Sequence, residues 1–380
     1  MSESTTLPLP LEELPESLRR FADPKSPGPA RLMAAKGLVP IKGGDLVTLM
    51  VQLASDPDAG IAGAADATLT GLPENVLRAA AEAALPAAIL EALARKFSDR
   101  EALMEALVMN HNTPDAAVLY VARSASDHLC EVIATNQQRL LKEPTIVEAL
   151  YKNRNMRMST ADRLVELCAR NGVELTGIPS FKDHVEAIQG QLIPEPTDEP
   201  LPGDMIFREA LASDADELDA VQQELTDAAR DERQEKVADK FKPLSFQIKS
   251  MTKSEKLRLA VVGDAAARAL LVRDTNKGVA MAAMTSPKMT EKEAANIACS
   301  REIGEDILRY IGTRRQWLQS YELKSALLFN PKTPVGISLR FVPHMRVNDL
   351  RTLAKSRSVA QPIKTVARQR LDTLDKAGRT

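Results

Sequence analysis

The sequence predicts an all-α protein, a HEAT- or armadillo-like α-solenoid with two helical-repeat modules joined by an acidic linker. Apolar residues make up 44% of its 380 residues, but aromatic residues only 3%. A core built from Ala, Leu, Val, Ile and Met favours packed helices over a β-sandwich. Helix-breaking sequences recur at a repeat-like spacing, and charge is sorted into blocks along the chain.

Residues 1–36 are rich in proline, which occupies six of the first 30 positions. No basic segment precedes an apolar run, so the pattern is not that of a signal peptide. We expect a flexible N-terminal tail, with a proline-rich docking peptide as the alternative. No window approaches the ~20 apolar residues of a membrane-spanning helix. The sequence therefore predicts a cytoplasmic protein without a membrane span.

Residues 37–190 are predicted to form the N-terminal helical-repeat module. Gly43 and Gly44 lack the spacing of a phosphate-binding loop and are interpreted as a helix-capping turn. Leu72-Pro and Leu85-Pro steps are each expected to start a helix. His111 lies in a predicted turn between helices, where a capping role is more common than a ligand role.

Similar breakers recur further along the chain. Thr113 and Thr160 lie 47 residues apart, and Thr290 and Thr333 lie 43 apart, within the ~40–47-residue period of HEAT and armadillo units. Each Thr is expected to cap the following helix through its side-chain oxygen. The segments beginning at Ile133 and Ala149 also align with those beginning at Ile311 and Ala326 in the other half, which pairs Asn153 with Asn330. An irregular helical domain with similar breakers by chance is the alternative.

Residues 191–240 are predicted to be a proline-rich, acidic linker. The segment 195–239 contains 15 acidic and four basic residues, and a polar helix is expected from Asp214 to Lys240. Residues 241–380, the predicted basic C-terminal module, contain 26 basic and 12 acidic residues. An acidic segment tethered beside a basic module has a high effective concentration for it. Contact between the two within one chain is therefore expected.

Five segments carry a resemblance. They begin at Gly37 (Gly-Leu-Val-Pro), Asn136 (Asn-Gln-Gln-Arg-Leu-Leu), Met158 (Met-Ser-Thr-Ala-Asp-Arg), Asn330 (Asn-Pro-Lys-Thr-Pro) and Asp349 (Asp-Leu-Arg-Thr-Leu-Ala-Lys-Ser). They resemble an uncharacterised bacterial helical-repeat family of myxobacterial type, similar to HEAT and leucine-rich-variant solenoids. The resemblance covers residues 35–190 and 245–375. It implies a solenoid fold and a cytoplasmic setting, and it assigns no activity and no catalytic residue.

Basic residues of the C-terminal module are the candidate binding residues, for a protein partner or for nucleic acid. Two arginines beside the only Trp could stack a base or clamp a phosphate, although a hydrophobic anchor with charges on its solvent side has the same pattern. The remaining candidates follow in the most basic stretch of the chain. The set is Arg314, Arg315, Trp317, Arg340, Arg346, Arg351, Lys355, Arg357, Lys364, Arg368 and Arg370.

The other reactive residue types are assigned structural roles. The three cysteines are isolated, which excludes a disulfide framework, and Cys130 and Cys168 are expected to be buried. The four histidines have no metal-ligand spacing, so no metal or other cofactor is expected. Met281, Met284 and Met289 are interpreted as core residues rather than as the lining of a groove for a partner.

These observations predict a binding protein rather than an enzyme. No nucleophile with a base, carboxylate pair or cofactor loop is recognisable in the sequence. We therefore expect a non-catalytic cytoplasmic scaffold or adaptor that binds a protein partner through its solenoid surfaces. The alternative is nucleic-acid binding by the basic C-terminal module, autoinhibited by the acidic linker.

Overall fold

The computed structural model of the chain describes residues 7–190, 193, 199–212, 244–356 and 358–377. Within these ranges it contains 24 α-helices, three short 3₁₀ helices and no β-strand. The all-α prediction is therefore confirmed. The chain divides into two compact units, Met1–Leu175 and Thr176–Thr380, which we call unit 1 and unit 2.

Unit 1 contains twelve helices within its described residues. They are α1 (Glu16–Ala22), α2 (Gly28–Ala35), α3 (Gly43–Leu53), α4 (Ala59–Thr70), α5 (Glu74–Glu82), α6 (Ala87–Lys96), α7 (Glu101–Met109), α8 (Asp115–Ala122), α9 (Asp127–Thr135), α10 (Gln137–Lys142), α11 (Pro144–Lys152) and α12 (Met158–Arg170). Most of them pack against the second helix along the chain: α1 on α3, α2 on α4, α3 on α5, α5 on α7, α6 on α8 and α7 on α9.

Unit 2 also contains twelve described helices. They are α13 (Phe181–Ile188), α14 (Pro202–Leu211), α15 (Leu244–Ser250), α16 (Lys253–Val262), α17 (Ala265–Leu271), α18 (Lys277–Thr285), α19 (Glu291–Cys299), α20 (Glu305–Ile311), α21 (Tyr321–Phe329), α22 (Val335–Phe341), α23 (Val347–Lys355) and α24 (Gln361–Ala377). The same order of packing recurs, with α16 on α18, α18 on α20 and α19 on α21. At the end of the unit, α24 packs on both α22 and α23.

Buried or half-buried asparagines join the C-terminal ends of neighbouring helices. Asn110 follows α7, and its amide donates to the carbonyl of Ala81 at 2.6 Å, at the end of α5. Asn153 follows α11 and donates to Ala122 at 3.0 Å, at the end of α8. In both cases the side-chain oxygen accepts from the backbone amide two residues later. We call this arrangement the Asn clamp.

Unit 2 repeats the Asn clamp at the aligned positions. Asn330, after α21, donates to the carbonyls of Ala298 and Ser300 at 2.7 and 2.8 Å, at the end of α19. Ser286, after α18, takes a similar place and donates to Val261 at 3.4 Å. Because the last carbonyls of a helix have no partner within it, these donors satisfy groups that would otherwise be buried unpaired. The breakers after α7, α11, α18 and α21 thus connect the end of each of these helices to the end of an earlier helix.

Only one of the four threonines of the breakers has the capping role that was expected. Thr290 caps α19 as predicted, since its side chain accepts from Glu293 and the Glu293 carboxylate accepts from the Thr290 amide. Thr113 instead donates its hydroxyl back to the carbonyl of Leu107 at 2.6 Å. Thr160 lies inside α12 and bonds Glu131. Thr113 therefore closes the previous helix rather than opening the next. Thr333 does neither, since its buried hydroxyl has no hydrogen-bond partner among the described residues and α22 has no side-chain cap.

The N-terminal segment differs from the expected flexible tail. The helices α1 and α2 pack on α3 and α4, and Leu14 and Leu18 are at most 1% exposed. Gln52 of α3 accepts from the amide of Leu9 and donates to its carbonyl, at 3.1 and 2.8 Å. The described part of the proline-rich segment is therefore an integral part of unit 1.

The linker prediction also needs correction. The polar helix expected at 214–240 lies outside the described residues, but residues 202–211 within the predicted linker form α14, which packs on α15 and α16. Phe207 of α14 is 2% exposed, and the guanidinium of the fully buried Arg258 lies 4.8 Å from its ring centroid. The boundary between units, at residues 175 and 176, also falls before the expected one at 190.

Candidate nucleic-acid interface

The C-terminal end of unit 2 carries cations without carboxylate partners. Residues 314–372 contain twelve Lys or Arg and three Asp or Glu. Among their described members, no basic side chain lies within salt-bridge distance of a carboxylate, whereas the salt bridges of unit 2 cluster between residues 186 and 309. The described cations of residues 314–372 therefore remain available to an external anion.

The predicted binding residues occupy several helices of this end. Arg340 is exposed near the end of α22, Arg351 and Lys355 are exposed on α23, and Arg370 is exposed on α24. Arg315 is exposed between α20 and α21, and Lys364 is half-buried on α24. Arg357 lies outside the described residues.

Spacing along α23 and α24 places like charges side by side. Arg351 and Lys355 are four residues apart on α23, as are Lys364 and Arg368 on α24. Like charges at this spacing destabilise a helix by about 0.2–0.5 kcal/mol per pair. Arg368 recovers part of this by donating to the carbonyl of Ala354, at 3.3 Å, near the end of α23. Arg340 and Lys355 lie in the last turns of α22 and α23, where a cation is modestly favourable.

Arg346 is fixed by an aromatic ring instead of a carboxylate. Its guanidinium lies 4.5 Å from the centroid of the Tyr321 ring, and its backbone amide donates to the Tyr321 hydroxyl at 3.0 Å. Burial raises the pKa of the Tyr321 phenol, and the hydrogen bond that it donates to Asp349 adds to the effect. The phenol thus stays protonated and fastens the start of α23 to α21.

The predicted pair of Arg314 and Trp317 has a third member, Tyr310, which the sequence analysis missed. Arg314 lies 4.9 Å from the ring centroid of Tyr310 and 5.7 Å from that of Trp317. The two rings meet edge to face at 6.2 Å, and the Tyr310 hydroxyl accepts from the Arg314 guanidinium at 2.7 Å. Tyr310 precedes Arg314 by four residues and Trp317 by seven, a helical spacing that could have identified it.

A groove between α18 and α20 leads to this cluster. It encloses about 820 Å³ and is lined by apolar side chains that include Met281 and Ile307, with Tyr310 and Thr313 also in its wall. Met284 and Met289 are buried as predicted, but Met281 lies in the groove rather than in the core. Salt bridges cross from one wall to the other, Arg273 to Glu302 at 3.4 Å and Lys277 to Asp306 at 3.2 Å.

The cysteines and His111 were also considered in the sequence analysis. Cys130 and Cys168 are fully buried, as predicted, and burial raises the pKa of the Cys168 thiol to about 11. Cys299 is exposed, but partial desolvation by its neighbours raises the pKa of its thiol, with a smaller contribution from Glu322. His111 lies in the turn after α7, where its carbonyl accepts from Arg139 at 3.4 Å. The surroundings of Cys130, Cys168 and His111 match the packing and turn roles that the sequence predicted for them.

Within the described part of the chain, no group of three or more His, Cys, Asp or Glu side chains is placed to hold a metal ion. None of the described helices combines the length and apolarity that crossing a membrane requires. No family model, curated protein or solved structure matches the chain.

Proposed function

We propose that the chain is a non-catalytic cytoplasmic α-solenoid whose C-terminal unit binds nucleic acid. The observation that carries this proposal is the set of described cations between Arg314 and Arg370, none of which forms a salt bridge with a described carboxylate. Seven of its nine described candidates are arginines, whose planar guanidinium matches a phosphate in a bidentate way better than a lysine does. Acidic neighbours that could repel a polyanion are few at this end of the unit.

The solenoid arrangement is part of the same proposal. Two features support it: the packing of most helices on the second helix along the chain, and the recurrence of the Asn clamp at aligned positions of both units. Stacked helix pairs of this kind bury their faces against their neighbours and leave long surfaces for partners. The helical-repeat family that the sequence resembles has this architecture.

A protein scaffold is the second candidate function, and unit 1 supports it. A groove of about 410 Å³ lies between α5 and α7, and Met109 in its wall is 62% exposed. An exposed methionine beside charged side chains, here Arg78 and Glu105, suits an adaptable contact with another protein. Both functions can coexist, because the two sites lie in different units.

Removing three unpaired arginines should weaken nucleic-acid binding and its salt dependence. We expect Arg340→Gln, Arg351→Gln and Arg370→Gln together to lower affinity about tenfold or more, because each neutralised phosphate contact contributes a release of counterions. The slope of log affinity against log salt should fall by about one for each arginine that contacts a phosphate. Fluorescence anisotropy of a labelled oligonucleotide, from about 50 to about 300 mM salt, measures both quantities for the full chain.

Three arginines of unit 1 provide the matched control. Arg78, Arg95 and Arg170 are more than half exposed, and each pairs with a glutamate one turn away. The same Gln substitutions there remove equal charge and should leave affinity and salt slope nearly unchanged. Equal losses in both triple variants would contradict a specific role for the C-terminal cations.

The acidic segment is proposed to compete with nucleic acid for these cations. Changing Asp214, Asp216, Glu217, Asp219, Glu224 and Asp227 to their amides should raise affinity at low salt by about tenfold. The reason is that a tethered polyanion has a high effective concentration, and the gain should shrink at high salt. The same anisotropy titration measures it. Unchanged affinity at about 50 mM salt would exclude autoinhibition by this segment.

A further inference from the structure

The cluster of Tyr310, Arg314 and Trp317 holds a guanidinium against two aromatic rings that also contact each other. The Tyr310 hydroxyl orients Arg314 because it accepts hydrogen bonds from two of the guanidinium nitrogens. Both rings are half-buried and therefore keep part of their surface open to a ligand. A guanidinium held in this way is pre-positioned, so that binding an anion costs it little further loss of side-chain freedom.

The groove beside the cluster has the size and chemistry of a ligand site. Its volume of about 820 Å³ lies within the ~300–1,000 Å³ range of small-molecule sites. Ala280, Met281 and Ile307 make part of its lining apolar, and Tyr310 contributes an aromatic ring. Its acidic residues are all paired: Glu302 and Asp306 with cations across the groove, and Asp274 with Lys256 at 3.0 Å. A phosphate chain that passes nearby therefore meets little unpaired negative charge.

An apolar, aromatic groove next to unpaired arginines favours single-stranded nucleic acid over a duplex. Bases stack on aromatic side chains only when they are unstacked from a partner strand, whereas arginines contact the phosphates of either form. An acidic peptide would use the arginines but would gain nothing from the ring of Tyr310. The juxtaposition of groove, rings and cations therefore selects a ligand with both a phosphate backbone and free bases.

We propose that unit 2 binds single-stranded nucleic acid, with an unstacked base in the groove between α18 and α20 against Tyr310. Arg314 and Arg315 contact the adjoining phosphates, and the cations of α22 to α24 hold the continuing strand. This inference rests on the proposed function and narrows its ligand class. It also adds Tyr310 and Met281 to the binding residues.

Trp317 is the only tryptophan of the chain, so intrinsic fluorescence reports directly on the cluster. We expect a single-stranded oligonucleotide of about 20 nucleotides to quench Trp317 and to bind the full chain more tightly than a duplex of equal length. The Tyr310→Leu variant should weaken single-strand binding about 5- to 150-fold, the range for loss of one stacked base. Its duplex binding should fall much less, because a duplex offers no free base to stack on Tyr310 and loses only the orientation of Arg314.

Two further variants separate stacking from charge and from misfolding. Arg314→Gln changes an exposed side chain and should lower quenching and single-strand affinity even if Tyr310→Leu unfolds. Arg370→Gln should weaken single-strand and duplex binding alike, since it removes a phosphate contact without an aromatic partner. Thermal unfolding by circular dichroism checks the fold of each variant.

The outcomes are distinct. Equal affinity for single strand and duplex without quenching would overturn this inference and leave nucleic-acid binding intact. Quenching by poly-glutamate as strong as that by the oligonucleotide would overturn it in favour of an acidic protein partner. Absence of binding to either nucleic acid at low salt would overturn both this inference and the proposed function.

Discussion

Replacing Phe207 by alanine is expected to lower the free energy of unfolding of unit 2 by about 3–5 kcal/mol, the usual cost of a buried Phe→Ala substitution. The ring is 2% exposed, and it covers the guanidinium of the fully buried Arg258 on α16. Its loss leaves a cavity and also removes a cation–π contact that is worth more when both groups are desolvated. Helix α14 should then separate from α15 and α16.

Denaturant unfolding of the full chain measures this effect, and limited proteolysis locates it. Trypsin cleavage after Arg208, within α14, should become faster in the variant because the helix opens more often. Met205 provides the control, since it lies on the same helix but is 64% exposed. Met205→Ala should change stability by no more than about 0.5 kcal/mol. Equal stability of the two variants would mean that α14 does not belong to the core of unit 2.

The position of α14 also shows why the sequence analysis misassigned two segments. Prolines were treated there as signs of flexible or extended chain. In the structure Pro15 and Pro27 directly precede α1 and α2, and Pro202 begins α14. Proline suits a helix start because its fixed φ is helical and its missing N–H would have no partner there. Short helices that begin at proline therefore resemble linkers in the sequence.

Other features were predictable because they depend on local chemistry. The low aromatic content predicted helices, and the breakers around Asn110 and Asn330 marked real helix ends. What the breakers do was not predictable, since each Asn clamp joins residues about 30 positions apart through buried carbonyls. A pattern along one helix cannot reveal such a partner.

The candidate site was likewise predictable only in part. Basic composition identified the C-terminal cations, and adjacency to the only Trp identified Arg314. The groove between α18 and α20 was not expected, because its walls come from two helices whose contacts depend on packing. Met281 illustrates the limit, since its sequence surroundings match those of the buried Met284.

Replacing Asn330 by alanine is expected to destabilise unit 2 by about 2–4 kcal/mol. The side chain is 6% exposed, and its amide donates to the carbonyls of Ala298 and Ser300. Each buried acceptor left without a partner costs about 1–3 kcal/mol. Asn348→Ala, an exposed position on α23, is the control and should change the free energy of unfolding by no more than about 0.5 kcal/mol. Similar unfolding midpoints for the two variants would show that the clamp adds nothing to stability.

An aspartate at position 330 distinguishes the clamp from simple packing. Asn330→Asp keeps the oxygen that accepts from the Lys332 amide but places a carboxylate against two carbonyl oxygens. Burial and these acceptors should raise its pKa in the folded state above its unfolded value. The variant should therefore be most stable below the unfolded pKa of ~3.9 and lose stability as the pH rises through the folded pKa. A buried carboxylate is costly at pH 7 whatever Asn330 does, so Asn330→Leu, which has a similar volume but no donor, is the comparison. If Asn330 only filled space, Asn330→Leu would be as stable as the native chain. A loss of stability in Asn330→Leu, with a greater loss in Asn330→Asp at pH 7 than at pH 4, means that the donated hydrogen bonds hold the two helix ends together.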